Sequence, residues 1–348
     1  MANYVTSNLT LAQAKLIGGF QDGELRYKEP RVFREILRNS TGFFQNYDTL
    51  RTREDRTLTA YYLKRASRSL GTGRSHNHTG AHGDSGSLSP SWTTYHDHFA
   101  ISLKQGNNNM YSRDEQLMSE WRNVMANMVE GHETVATAFL FASRSGVNTA
   151  VVEGTFNAGL DTFEIDADAN TTFGTFNNRA AQITKVVMDI NKWGSDYTVI
   201  CDSISYSKFQ AQAAQGTTNA TNLSFQFGGV TFIHAVGLYA LAAGIGYTNG
   251  YWITVPFGTV GCLPHIPKEN KMGVTTTVAS YGSIVNPIDG LPYAVHSYEV
   301  SGDDSATNGY TQDVMTEVEA SIDLAFDHAP LSVSNETSLQ AFAIVSNT

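Results

Sequence analysis

The stretch Phe176–Gln215, FNNRAAQITKVVMDINKWGSDYTVICDSISYSKFQAQAAQ, predicts a helix, a short turn, a buried strand and a second helix. Tyr197–Cys201 (YTVIC) is a short β-branched and aromatic run, typical of a strand covered on both sides. The second helix begins with Asp202 or Ser203 as its N-cap. In the first helix, apolar residues recur at the spacing that places them on one buried face. They are Ile183, Val186, Val187 and Ile190.

This α/β unit lacks the residues that a nucleotide-binding or acyl-transfer enzyme would need. The turn after the strand, Asp202–Ser205 (DSIS), contains no glycine, and the chain has no phosphate-binding glycine pattern after a strand. No Gly-x-Ser-x-Gly elbow occurs, and no nucleophile–base pair can be read from the sequence. We therefore expect a protein that is not an enzyme and has no cofactor.

Length and composition bound the class of protein. The chain has 348 residues, of which 41% are hydrophobic, enough for one large or two intertwined domains. No stretch approaches the roughly 18–20 uncharged apolar residues of a membrane span, and the N-terminus lacks the pattern of a secretory signal. Cys201 and Cys262 lie in apolar runs, which suits an intracellular protein without disulfides. We expect no membrane partner.

Charge is distributed unevenly along the chain. Residues 1–74 contain 13 Lys and Arg against 7 Asp and Glu, whereas the remainder contains 10 against 26. No Lys or Arg follows Lys271. A basic arm on an acidic body predicts contact with an acidic neighbour, either nucleic acid or the acidic part of another copy. The alternative is a solvated charged surface.

Towards the N-terminus, the sequence predicts a helix from Pro30, because proline is favoured in a first turn. Residues 43–105 predict a long hairpin. Thr49–Leu63 alternates as an extended ribbon, Leu70–Pro90 is a Gly, Ser and His-rich loop, and Trp92–Leu103 alternates again as a returning strand. A hairpin of this length is unusual in a compact domain and indicates a function or a partner.

One long helix is predicted over residues 112–143, where apolar residues repeat by threes and fours. Ser112 and Glu115 form a capping box at its start. At about 1.5 Å per residue this helix would span roughly 45 Å. Phe257–Pro267 is an apolar, turn-rich return. Further strands are predicted at Ala150–Val152, Thr162–Ile165, Leu223–Phe227, Val230–Val236, Tyr251–Val255, Ala294–Val300 and Val314–Phe326.

Histidines are the main candidates for a metal site. His76, His78 and His82 lie in the loop GRSHNHTGAHGD, and His96 and His98 follow in the returning strand, where both rings would share one face. Zinc sites usually combine such residues with cysteine or with a helical His-x-x-x-His pair, and neither lies near this loop in the sequence. A polar loop is favoured, and a metal-binding enzyme using His76, His78 and His82 remains the alternative.

The predicted elements follow one another as a basic arm, a long hairpin, one long helix, a layered α/β unit and long C-terminal strands. This order resembles the major capsid protein of tailed bacteriophages, which has the Hong Kong 97-like coat fold of the α+β class. The segment WGSDYTVICDSISYSKFQ looks like a strand-then-helix step of that family, and VPFGTVGCLP is similar to its return segment. The resemblance implies an N-terminal arm (1–42), an extended E-loop (43–105), a P domain (106–174, with a spine helix at about 112–143), an A domain (175–265) and a return to the P domain (266–348).

By implication, many copies would close into an icosahedral shell around double-stranded DNA, in the capsid of a virion assembled in the host cytoplasm. The partners would be other copies in hexamers and pentamers, scaffolding, portal and decoration or cement proteins, and packaged DNA bound without reading its sequence. An encapsulin-like compartment shell is an alternative with the same fold, and a trimeric fibre-associated adhesin is another class. The arginines expected to face neighbouring copies or DNA are Arg26, Arg31, Arg34, Arg51, Arg53, Arg56, Arg65 and Arg68.

Overall fold

The computed structural model has a mixed α+β architecture, as the sequence predicts. Described here are residues 30–44, 59–64, 72–73, 84–89, 91–102, 113–145, 154–167, 174–191, 196–214, 224–227, 229–276, 279–304, 310–329 and 339–346.

Six helices lie within the described residues. The longest is α2, which runs for 30 residues from Arg113 to Ala142. Within the described ranges, no helix combines the length and the apolar character that crossing a bilayer would require. The other helices are α1 (Arg31–Phe43), α3 (Gly174–Ile190), α4 (Ser203–Ala214), α5 (Leu238–Gly244) and α6 (Lys268–Met272).

The described strands form three sheets. The first is an antiparallel hairpin of β1 (Ala60–Lys64) and β2 (Asp84–Leu88). The second has five strands: β3 (Ser91–Ser102), β10 (Val260–His265), β11 (Ala279–Val285), β12 (Pro292–Asp304) and β13 (Tyr310–His328). The third has seven: β4 (Gly154–Asn157), β5 (Thr162–Ala167), β6 (Tyr197–Cys201), β7 (Ser224–Phe227), β8 (Val230–His234), β9 (Tyr251–Pro256) and β14 (Gln340–Ser346).

The five-stranded sheet is organised around β13, which is 19 residues long. β3 pairs along one edge of β13, and β12 and then β10 pair in succession along the other edge. All of these pairs are antiparallel, and β11 extends the sheet beyond β12. Val318, Ala320 and Ile322 alternate onto one face and are buried there. The opposite face of β13 carries Glu317 and Glu319.

The seven-stranded sheet has the order β4-β5-β14-β9-β6-β8-β7. Two neighbouring pairs, β5–β14 and β6–β8, are parallel, and the rest are antiparallel. Every residue of β6 and of β9 is buried, as expected for central strands covered on both faces. This sheet takes strands from residues 154–167, 197–256 and 340–346, so it draws on three of the segments that the resemblance implies.

Helix α1 connects the two large sheets. It packs against α2, β8 and β10 and buries Val32, Phe33 and Ile36. On one side the hydroxyl of Thr198, in β6, donates to Glu35 Oε1 at 2.9 Å. On the other side the backbone N–H of Cys262, in β10, donates to Ser40 Oγ at 2.8 Å. Because both bonds are buried, they fix α1 relative to each sheet.

Most predicted elements are confirmed. The long helix, the YTVIC strand and the helix after it occur where the sequence places them, and Asp202 is the cap, since its Oδ1 accepts the N–H of Ser205 at 2.7 Å. The returning strand of the hairpin is β3, and the long alternating strand near the C-terminus is β13. Ser112 and Ala150–Val152 lie outside the described residues.

Three local predictions are wrong. β2 lies within the segment 70–90 that was expected to be a loop, and β10 is a regular strand within the expected turn-rich return. On α3, Val186 is 45% exposed and Ile190 is 54% exposed. The buried face of α3 is rotated because it includes Thr184, whose hydroxyl donates to Ala180 O at 2.8 Å and accepts from Trp252 Nε1 at 3.1 Å. A threonine with both bonds made is buried without the usual cost of a polar group.

Candidate functional site

Of the eight arginines predicted to meet DNA or other copies, the structure describes Arg31 and Arg34. Both lie in the first turn of α1. The Arg34 guanidinium donates from Nη2 to the carbonyl oxygen of Ile288 at 2.9 Å. Arg31 is half-buried and lies within electrostatic range of Glu133. The other six lie outside the described residues: Arg26, Arg51, Arg53, Arg56, Arg65 and Arg68.

Glu133 of α2 caps the N-terminus of α1. Its two carboxylate oxygens accept the backbone N–H groups of Val32, at 3.1 Å, and Phe33, at 3.0 Å. These are among the donors that a helix N-terminus leaves unpaired, and an anion is favoured there. Burial raises the pKa of Glu133 above its usual value, while these hydrogen bonds and nearby Arg31 oppose the shift. The basic start of α1 is thus bonded to the body of its own chain.

The histidines of the returning strand share one face of the sheet, as predicted. The rings of His96 and His98 stack with centroids 6.2 Å apart and planes inclined by 24°. Both side chains are exposed. His76, His78 and His82 lie outside the described residues. Among the residues that the structure does describe, no three His, Cys, Asp or Glu side chains are grouped so that they could hold a metal ion.

Strand register adds acidic residues and a third histidine to that face. Glu319 of β13 lies opposite His98 of β3 on one side and opposite His296 of β12 on the other. Glu317 lies opposite Tyr298, whose hydroxyl donates to the Glu317 carboxylate. Directly opposite residues of an antiparallel pair point to the same face, about 5 Å apart. We call this surface the histidine–glutamate face: His96, His98, His296, Glu317 and Glu319.

The same arrangement continues into the buried part of the sheet. Asp323 lies opposite both His265 of β10 and Thr94 of β3. The Thr94 hydroxyl donates to Asp323 Oδ1 at 2.6 Å, and His265 Nδ1 lies 3.5 Å from Asp323 Oδ2. Trp92 packs edge-on against the His265 ring at 5.8 Å. Glu319 and Asp323 of β13 thus each lie opposite at least one histidine of a neighbouring strand.

A serine–histidine pair that the sequence did not predict lies at one end of the seven-stranded sheet. Ser203 Oγ, at the start of α4, lies 3.0 Å from His234 Nε2, and burial lowers the pKa of His234. The pairing of Cys201 with His234 across the parallel strands creates this contact. A hydrolytic triad also needs a group that orients the base, and Asp202 instead caps α4. Asp202 also acts electrostatically on His234 and opposes the lowering of its pKa.

The β1–β2 hairpin is separate from the two large sheets. Within the described residues, its strands pair only with each other, through five residues each from Ala60↔Leu88 to Lys64↔Asp84. An isolated two-stranded hairpin is marginally stable in water.

Comparison with known proteins identifies the fold. No family model matches the chain, and no curated protein matches it. A solved structure titled "Cyanophage Pam1 capsid asymmetric unit" superposes with a TM-score of 0.50 at 12% identity, covering 92% of this chain and 93% of that one. Others are "Mycobacterium phage Che8" (TM-score 0.47, 8% identity, 87% and 89% covered) and "Asymmetric unit of bacteriophage PhiM1 mature capsid" (0.45, 10%, 84% and 82%).

The likeness to the Pam1 capsid structure extends over nearly the whole of both chains. It shows that this chain has the fold of a phage capsid structure. The α+β coat fold that the order of elements resembled is therefore confirmed as a fold. The boundaries given for the arm, the E-loop, the P domain and the A domain remain predictions.

Proposed function

We propose that this chain is the major capsid protein of a tailed bacteriophage, which self-assembles into an icosahedral shell enclosing double-stranded DNA. The observation that supports this most strongly is the match to a capsid structure over 92% of the chain. The shell places the protein in the virion, after assembly in the host cytoplasm. Its function is structural: each copy binds its neighbours to form the shell and does not catalyse a reaction.

The two-stranded hairpin supports assembly through contacts between copies. The hairpin has too few strands to be stable alone, and a neighbouring copy would cover it. The domain division proposed for this role is the one that the resemblance implies: arm 1–42, E-loop 43–105, P domain 106–174 and 266–348, and A domain 175–265. Copies would meet as hexamers and pentamers through the A domain.

Other partners follow from the same proposal. Scaffolding, portal and decoration or cement proteins would meet the shell, and packaged DNA would lie against its inner surface. DNA that is enclosed rather than read requires only positive charge, which residues 1–74 supply. The arginines outside α1 are the candidates for this contact, because Arg34 already donates to a carbonyl of its own chain.

Neither the compartment shell nor the metal-binding enzyme is supported by the described residues. An encapsulin-like compartment has the same fold and differs in its cargo, and no described feature favours it. The metal-binding enzyme depends on His76, His78 and His82, which lie outside the described residues.

Electron microscopy of the purified protein tests the proposal. Negative staining should show closed particles of uniform size, or five- and six-membered rings, and sedimentation velocity should show the corresponding large species. Nuclease treatment during purification would separate shells that close around nucleic acid from shells that close without it. Persistent monomers at high protein concentration would refute the coat function.

A further inference from the structure

We propose that Asn249 is a site of spontaneous covalent modification, at which the backbone nitrogen of Gly250 displaces the side-chain amide and an aspartate or isoaspartate results. The two residues lie in the loop between α5 and β9, and the cation of Lys208 promotes the reaction. This inference is independent of the proposed coat function, since it concerns the chemistry of a single chain.

The sequence supplies the reacting pair. An asparagine side chain closes a five-membered ring when the nitrogen of the next residue attacks it, and glycine allows the closest approach because it has no Cβ. Asn-Gly occurs twice in the chain, both times within the tetrapeptide TNGY, at residues 248–251 and 307–310. The structure describes the first occurrence, whereas Asn308 lies outside the described residues. The second occurrence therefore serves as a control with the same local sequence.

The side chain of Asn249 is available for this attack. It is exposed, and within the described residues it makes no hydrogen bond that would hold its amide away from the backbone. The adjoining backbone is held in place, because the N–H of Ile344 in β14 donates to Gly250 O at 3.0 Å. Gly250 has a φ of +141°, which residues with a side chain rarely adopt. We therefore expect the reaction to need rotation of one exposed side chain rather than opening of the sheet.

The nitrogen of Gly250 is the second reactant. Gly250 is buried, and its N–H donates to no acceptor in the part of the chain that the structure describes. A buried N–H without an acceptor costs free energy. Ring closure removes this N–H, so the cost applies to the starting state and not to the closed ring.

Lys208 of α4 stabilises the charge that develops during the attack. Its Nζ donates to the backbone carbonyl oxygen of Asn249 at 3.3 Å. When the nitrogen of Gly250 loses its proton, the negative charge is shared with that oxygen through the peptide bond. A cation already placed there favours the deprotonated nitrogen. Burial lowers the pKa of Lys208, and the carboxylate of Asp202 opposes this shift and so favours the charged form.

The atoms balance with water as the only co-reactant. The bond from Gly250 N to Asn249 Cγ forms, the bond from Cγ to Nδ2 breaks, and Nδ2 leaves as ammonia with the proton from Gly250. Water then opens the ring at one of its two carbonyl carbons. Attack at the backbone carbonyl gives isoaspartate, whose main chain runs through Cγ, and attack at the other gives aspartate. Either product adds one negative charge to the loop beside Lys208.

Incubation of the full-length protein in mildly alkaline buffer, sampled over several weeks, tests the site. Tandem mass spectrometry of tryptic fragments measures conversion at each asparagine, and it separates the two occurrences because Asn308 follows Lys271, the last lysine. In guanidinium chloride, Asn249 and Asn308 should convert at similar rates. In the native protein, Asn249 should convert at least as fast as it does in denaturant. Slower conversion in the native protein would overturn the inference, because the fold would then protect the dipeptide.

Substitution of the lysine tests its role. Lys208→Met should slow conversion at Asn249 in the native protein about threefold to tenfold, since one hydrogen bond contributes about this much, and should leave Asn308 unchanged. Lys185→Met, which removes an exposed lysine of α3, is the matched control and should behave as wild type. A folded Lys208→Met variant that converts Asn249 at the wild-type rate would overturn the inference. If circular dichroism shows that this variant does not fold, the comparison of native and denatured wild type decides.

Discussion

The two large sheets differ in how fully their own chain covers them. In the seven-stranded sheet, β6 and β9 are buried along their whole length, with aromatic residues packed on both sides. In the five-stranded sheet, α1 and α2 cover one face, and part of the other face, around His96 and His98, is exposed to solvent. The two central strands of the seven-stranded sheet are thus covered by their own chain. The five-stranded sheet has one covered face and one face that is partly open to solvent.

The largest expected effect comes from the centre of the seven-stranded sheet. Trp252 is fully buried, stacks on Phe342 with ring centroids 5.8 Å apart, and donates from Nε1 to Thr184. Trp252→Ala should lower the free energy of unfolding by about 3–5 kcal/mol, because a large cavity forms and the Thr184 hydroxyl loses its partner. Urea denaturation followed by circular dichroism measures this loss.

The matched variant lies on the outer face of the five-stranded sheet. Tyr281→Ala removes an aromatic ring of similar size that is only half-buried, and should cost about 1 kcal/mol or less. A Tyr281→Ala loss equal to that of Trp252→Ala would contradict the difference between the sheets, since it would make the outer face part of the core.

A smaller effect is expected at the joint between the sheets. Glu133→Gln leaves one oxygen to accept from two N–H groups of α1 and should cost about 1–2 kcal/mol. Because the folded-state pKa of Glu133 is raised, the wild-type free energy of unfolding should fall as pH rises through the range above the usual glutamate value. Glutamine does not titrate, so this pH-dependent component of stability should vanish in Glu133→Gln.

Urea denaturation at a series of pH values measures both effects. Glu130→Gln changes an exposed glutamate of the same helix and should leave stability and its pH dependence as they are. A wild-type stability that rises through that pH range, with the rise lost in Glu133→Gln, would show that the carboxylate is stabilised rather than strained by its site.

The smallest effect is expected on the outer surface of α3. Val186→Ser with Ile190→Ser should change the free energy of unfolding by no more than about 0.5 kcal/mol, because both side chains are about half exposed. Ile183→Ala, one turn away on the buried face, should cost about 2–5 kcal/mol. Thermal or urea melts of the monomer decide this. If the double variant and Ile183→Ala lost equal stability, Val186 and Ile190 would belong to the buried face, as the apolar spacing predicted.

The features that the sequence predicts well are those that depend on the spacing of residues close together in the chain. The long helix follows from its three-and-four repeat, and the Asp202 cap follows from a short side chain beside a strand end. The Glu133 cap, the Ser203–His234 pair and the histidine–glutamate face all join residues that are distant in the chain. Only strand register and helix packing create them, and neither can be read from periodicity. His96 and His98 were visible as a pair, but Glu319 and His296 were not.

Strand β14 has a consequence for the time course of folding. Residues 340–346 form an inner strand of the seven-stranded sheet, between β5 and β9. Phe163 cannot pair with Phe342 until Phe342 has been synthesised. At a synthesis rate of about 5–20 residues per second, this delay is on the order of ten to forty seconds. Until then β5 and β9 each have an unfilled edge. Such long-range pairing slows folding, so a newly made chain passes through a period in which it is open to chaperones and to mispairing with its sister chains.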